Sequence, residues 1–123
     1  MPWDFKSDRP IYTQLIEQIK LMIFSGIYPP GSKLSSVRDM AQEAAVNPNT
    51  MQRALTKLEE EGLIITHRTS GRSITEDLDL IREARTKVAK EQISEFLEKM
   101  QKLGLEQKEL LSIISNKLEE MKK

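Results

Sequence analysis

The chain has 123 residues, with 19 Lys and Arg balanced by 19 Asp and Glu, enough for one ordinary domain and a smaller appendage. It has no cysteine and one histidine, His67, so disulfides, thiolate metal sites, the usual zinc clusters and a Ser-His-Asp or Cys-His mechanism are all excluded or hard to build. No stretch of 18 apolar residues occurs, and the opening "MPWDFKSDRP" carries acids with no apolar run, so a cytoplasmic protein with no membrane partner is expected.

Residues 10–75 carry the punctuation, from Pro10 and Gly26 through Pro29, Pro30, Gly31, Pro48 and Gly62 to Gly71; residues 76–123 have no proline and one glycine, Gly104. Ile11, Leu15, Ile19, Met22 and Ile23 recur at three- and four-residue steps and predict a first helix, opened by Pro10 and stopped by Gly26. "YPPGSK" forces a turn. A second helix starts at "SVRD", where Ser36 can cap and Asp39 stands in the place of a capping-box acid, although Glu is usual there. Val37, Met40, Ala41 and Ala44 give it a buried face. "AVN" then leaves about three residues before the next helix, which Asn47 caps and Pro48 opens at a position where a missing N–H costs nothing. Met51, Ala54, Leu55 and Leu58 form the apolar stripe of this third helix, and Gly62 ends it. "LIITHRTSGRSI" predicts two short strands, 63–68 and 72–75, around a turn at Thr69 to Gly71. Three helices with a tight second turn, followed by a hairpin, predict a winged helix-turn-helix.

In that fold the front of the third helix enters the major groove. Asn and Gln pair with adenine, Arg with guanine, and Thr meets the thymine methyl, and Asn49, Thr50, Gln52 and Arg53 supply this set. The amides at the helix start, with Asn47, can hold a phosphate, and Pro48, which opens the helix, is counted with the expected DNA-binding residues. No acid occurs from Ala44 to Leu58, where Arg53 and Lys57 are basic, nor from Gly62 to Thr75, where His67, Arg68 and Arg72 stand. The zero net charge therefore conceals a locally basic face suited to phosphates. "EEEG" at 59–62 reads as a solvated helix end, because neighbouring helical positions point in different directions. Gly71 allows close backbone approach at the hairpin tip.

The stretch "PIYTQLIEQIKLMIFSGIYPPGSKLSSVRDMAQEAAVNPNTMQRALTKLEEEGLI" resembles the DNA-binding domain of the GntR family of bacterial transcription regulators. The resemblance covers residues 9 to about 76, and the short C-terminal segment, with "GRSITEDLDLIREAR" and "KLGLEQKELL", is similar to the YtrA subfamily. It implies a homodimeric repressor of an inverted-repeat operator, often beside ABC-transporter genes. It also carries DNA contact onto Ser36, Arg38, Asn47, Asn49, Thr50, Gln52, Arg53 and the wing around Arg68 and Gly71. Ser35 stands where the family usually has proline, and Ser73 also departs from the family's wing pattern.

The expected architecture is mainly α with a small β-hairpin wing: a winged helix-turn-helix over residues 9–76 and a two-helix dimerisation segment over 77–123, joined at "LGL". Apolar residues recur near helical spacing in the tail, and two such helices cannot bury both stripes alone. A second copy under two-fold symmetry is the economical cover, and Ile81, Val88, Ile93, Phe96, Leu97, Met100, Leu110, Ile114 and Leu118 are the expected dimer residues. A small-molecule effector, needing about 300 Å³ or more, fits between subunits better than inside a two-helix lobe. The competing reading is a protein-interaction adaptor, against which the acid-free run from Ala44 to Leu58 argues. No phosphate-cradling loop, metal cluster or nucleophile–base pair is visible, so no enzyme activity, catalytic residue, metal or cofactor is expected.

Overall fold

The computed structural model describes residues 3–123. Along them run α1 (Ile11–Phe24), α2 (Val37–Ala44), α3 (Pro48–Glu60), β1 (Ile64–His67), β2 (Gly71–Ile74), α4 (Leu78–Lys102) and α5 (Gln107–Met121). The chain divides into two compact units, one ending at Arg85 and one running from Thr86 to Lys123.

The first unit is closed around one core. Leu15, Ile19 and Ile23 of α1, Met40, Ala41 and Ala44 of α2, and Met51, Ala54, Leu55 and Leu58 of α3 meet in a single buried cluster with Leu34, Leu63, Ile64 and Ile74. Each helix supplies the face that its three- and four-residue spacing dictates. The first turns of α4 belong to this unit as well. Ile81 is buried in the same cluster, with Ala84 packed against it. Ile81, expected among the dimer residues, is therefore a side chain of the first unit's core, a placement that the apolar spacing of the tail could not supply.

The turn between α2 and α3 is Ala45, Val46 and Asn47. Ala45 is left-handed, with φ 57°, and the Val46 amide donates to Ala41 O at 2.9 Å while that of Ala45 donates to Gln42 O at 3.2 Å. This pairing is the six-to-one and five-to-two closure usually made with glycine, here carried by alanine at some cost in strain. The end of α3 repeats it with glycine: Leu63 N donates to Leu58 O at 3.0 Å and Gly62 N to Glu59 O at 2.9 Å. At the start of α2, Ser36 Oγ accepts from Asp39 N at 3.1 Å. The structure shows only this half of the expected capping box; the Asp39 side chain is one methylene shorter than glutamate.

The hairpin pairs Ile64 with Ile74, Ile65 with Ser73, Thr66 with Arg72 and His67 with Gly71. Both strands begin one residue away from their sequence-based starts and end one residue earlier, and Gly71 is paired rather than in the turn. A third backbone segment lies along β2: Gly31 N donates to Ile74 O, Ile74 N to Ser32 O and Leu34 N to Arg72 O, all within 2.9 Å, with Lys33 opposite Ser73. "YPPGSK" is therefore both a turn and the cover of a strand edge. An extended N-terminal arm lies along α1. Buried Gln14 accepts from Lys6 N at 2.7 Å and donates to Lys6 O and Arg9 O, while Gln18 donates to Asp4 O at 2.6 Å.

The second unit contains the remainder of α4 and all of α5, joined through Gly104 at φ 82°. Glu106 and Glu109 form a reciprocal capping box at the start of α5. No residue from Thr86 to Lys123 is buried. No helix among the described residues is long and apolar enough to cross a membrane.

Candidate nucleic-acid interface

The front of α3 is set by its cap. Asn47 Oδ1 accepts from Asn49 N at 2.7 Å, and Pro48 takes the first helical position. This leaves the side chains of Asn49, Gln52 and Arg53 exposed and Thr50 half-buried, opposite the buried Met51, Ala54, Leu55 and Leu58. Gln52 Nε2 donates to Thr56 Oγ1 at 3.3 Å. The Arg53 guanidinium lies over the ring of Tyr12, 4.3 Å from its centroid. Ser36 and Arg38, at the start of α2, are exposed.

The acids that α3 itself carries, and Glu61 just after it, sit at its far end, and each has a cation beside it. Glu59 accepts from Arg72 Nε at 2.7 Å, Glu61 pairs with Lys20 at 2.9 Å, and Glu60 lies 3.9 Å from Lys57. Burial alone pushes the Glu59 carboxyl up, but hydrogen bonds from Thr66 and Arg72 and the charge of Arg72 outweigh it and hold it below its ordinary range. The front of α3 thus has no carboxylate of its own, and the carboxylates behind it are compensated.

On the wing, His67, Arg68 and Gly71 are exposed. His67 Nε2 lies 2.7 Å from Ser73 Oγ, so the departure at Ser73 ties the two strands together. Arg72 also has a partner within the chain. It is half-buried and bound to Glu59, which makes it a brace between the wing and the end of α3. Nothing in "EEEG" itself signals this brace; the pairing needs the hairpin register, which places Arg72 opposite Thr66 on the core side. Tyr12 was missed too, although it stands one turn before Leu15 and Ile16 on α1.

In the second unit, Ile93, Phe96, Leu97 and Leu118 are exposed and Val88, Met100, Leu110 and Ile114 half-buried. Leu103, Leu111, Ile113 and Met121 add further exposed apolar surface. Among the described residues no group of His, Asp and Glu could hold a metal ion.

The sequence model of the bacterial regulatory proteins, gntR family, matches residues 11–74. The chain belongs to the GntR family. A GntR chain is a DNA-binding transcription regulator and not an enzyme. Over 107 residues this GntR regulator is 38% identical to the HTH-type transcriptional regulator YhcF of Bacillus subtilis, covering 87% of this chain and 88% of that one. It is also 38% identical over 108 residues to the HTH-type transcriptional repressor YtrA of the same organism, covering 87% and 83%. Among solved structures, a GntR family transcriptional regulator from Listeria monocytogenes superposes with a TM-score of 0.85 at 37% identity, over 91% of this chain and 98% of that one. The winged helix-turn-helix with C-terminal helices is thus a fold that this chain shares with a solved GntR regulator.

Proposed function

We propose that this GntR regulator is a homodimeric repressor that binds an inverted-repeat operator, with an ABC-transporter operon as its target. The observation that carries the DNA reading is the acid-free, exposed front of α3, capped by Asn47 and carrying Asn49, Thr50, Gln52 and Arg53. In this reading Asn49 and Gln52 read adenine, Arg53 reads guanine and Thr50 meets a thymine methyl. Ser36, Arg38, Asn47 and the first amides of α3 after Pro48 hold backbone phosphates. His67, Arg68 and Gly71 follow the neighbouring backbone, and Arg72 sets the pose of the wing from behind.

The head comprises residues 9–76 with the first turns of α4, and dimerisation falls to Thr86–Lys123, where apolar side chains have no cover within the chain. Two-fold pairing of those faces sets two heads on half-sites one helical turn, ~34 Å, apart. Repression is supported by the likeness to a relative that is itself a repressor, and the transporter target by the resemblance to the YtrA subfamily. A small-molecule effector at the subunit interface would act by changing the spacing of the heads. A screen of transporter substrates that left operator affinity unmoved would remove the effector from this account.

The test of the DNA reading is selection of bound sequences from a random duplex library by the purified chain at near-physiological salt. Enrichment of an inverted repeat is expected. A lone half-site would leave DNA reading intact and remove the dimer. Salt-sensitive background binding without enrichment would overturn the proposal in favour of a protein-interaction adaptor.

A further inference from the structure

We infer that Tyr12 is a positioning residue for Arg53: its ring holds the guanidinium at the front of α3 and so sharpens base discrimination without itself reading a base. The inference rests on the reading of α3 as the recognition helix.

Arg53 is exposed on the second turn of α3, where a long side chain would sample many rotamers. Its guanidinium carbon is 4.3 Å from the Tyr12 ring centroid, well inside the range of a cation–π contact. Other basic side chains of this unit are held differently: Arg9, Lys20, Lys57 and Arg72 are each ion-paired to a glutamate. Among the described residues no carboxylate ion-pairs with Arg53.

The difference matters for recognition. A carboxylate would occupy the N–H fork and offset the charge, and DNA would have to displace it. An aromatic ring engages the flat face of the guanidinium and leaves its edge donors for the O6 and N7 acceptors of a guanine. Tyr12 is itself a firm support, because it is half-buried, packed against the core and set in the first turn of α1. The next polar side chain on α3 is ordered in a parallel way, Gln52 by Thr56 at 3.3 Å. Tyr12, Gln52, Arg53, Thr56, Lys57 and Glu60 together line a shallow groove of about 260 Å³ between α1 and α3, with Glu60 3.9 Å from Lys57 and not ion-paired to Arg53. The fork of Arg53 is therefore set before DNA arrives, and less side-chain freedom is lost on binding.

The experiment compares the full chain with Arg53→Ala, Tyr12→Phe, Tyr12→Leu, Tyr12→Met and the Tyr12→Leu/Arg53→Ala double variant. Each is titrated against the duplex enriched by the library selection. The same titrations use a duplex altered at the base pair that Arg53→Ala ceases to discriminate. Tyr12→Phe keeps the ring and is expected to bind as the parent does. Tyr12→Leu and Tyr12→Met should lose roughly two- to fivefold on the selected duplex, the worth of an exposed cation–π contact. They should lose nothing on the altered duplex or in the Arg53→Ala background, and the salt dependence should not change. Thermal melts establish that the variants fold, and Tyr12→Met stands in should Tyr12→Leu not. Equal losses on both duplexes, or an undiminished loss in the Arg53→Ala background, would reduce Tyr12 to a structural residue and overturn the inference. A Tyr12→Phe variant as weak as Tyr12→Leu would overturn it by assigning the effect to the hydroxyl. If Arg53→Ala weakens binding while Tyr12→Leu and Tyr12→Met do not, the positioning role alone is lost. If Arg53→Ala has no effect, the recognition-face reading is lost and the inference with it.

Discussion

The two compact units of this chain solve the burial of apolar side chains in opposite ways. Up to Arg85, residues from three helices, the hairpin and the start of α4 close on each other, and Leu15, Ile19, Met51, Leu58 and Leu63 are wholly inaccessible. From Thr86 onward apolar residues still recur near helical spacing, yet Phe96 is 42% and Leu118 56% exposed and nothing is buried. The first unit is a head that can be folded by its own contacts. The second leaves its apolar side chains without cover within the chain, as one half of the proposed dimer interface would. Apolar periodicity alone does not distinguish a buried face from an uncovered one; the burial does.

Each unit has side chains whose replacement should affect it alone. Replacing Phe96 and Leu97 together by Glu should lower affinity for the inverted repeat by a factor on the order of 10²–10⁴, the gain from linking two heads, while the head keeps its fold. Band-shift titration with a parallel sedimentation run would read both. Leu55→Ala in the head should cost about 2–5 kcal/mol in denaturant unfolding, because the site is buried on every side and leaves a cavity. Arg53→Ala should leave unfolding unchanged and remove about 1–3 kcal/mol of operator binding.

Smaller effects sharpen the account of the head. Ala45→Gly should stabilise it by about 1 kcal/mol, since glycine adopts the left-handed backbone there without strain. Glu59→Gln should cost at most ~1 kcal/mol at neutral pH, as partly exposed pairs do. Its pH dependence has a definite sign. The Glu59 carboxyl titrates below its ordinary 4.5 in the folded chain. Its contribution is therefore complete above that value and disappears as the pH falls through the lowered one. Melts of parent and variant should differ near pH 7 and converge in strong acid; a gap that widened on acidification would contradict the pairing.

Most of the head is legible in the sequence because its signals are local. Pro48 after Asn47, Ser36 before Val37 and Gly62 after Glu61 mark helix ends by backbone chemistry, and the strands follow, to within one residue at each end, from "LIITHRTSGRSI". What escaped reading depends on tertiary placement. Ala45 adopts a glycine conformation with no residue-level signal, because Val46 must turn back to Ala41. Lys33 meets Ser73 only once the hairpin exists. Ile81 shares the spacing of the tail but packs into the head, since α4 begins before the head ends. The polar set at the front of α3 was readable from composition and capping, whereas the Tyr12 support and the Glu59–Arg72 brace required two elements to be brought together.

The most direct measurement is the stoichiometry and affinity of the complex on two duplexes, one carrying the selected inverted repeat and one carrying a single half-site. Analytical ultracentrifugation with labelled DNA would report both. Two chains on the inverted repeat, and binding at least about a hundredfold tighter than on the half-site, are expected. One chain per duplex with equal affinity on both would contradict that expectation, and the uncovered faces of α4 and α5 would then need a different occupant.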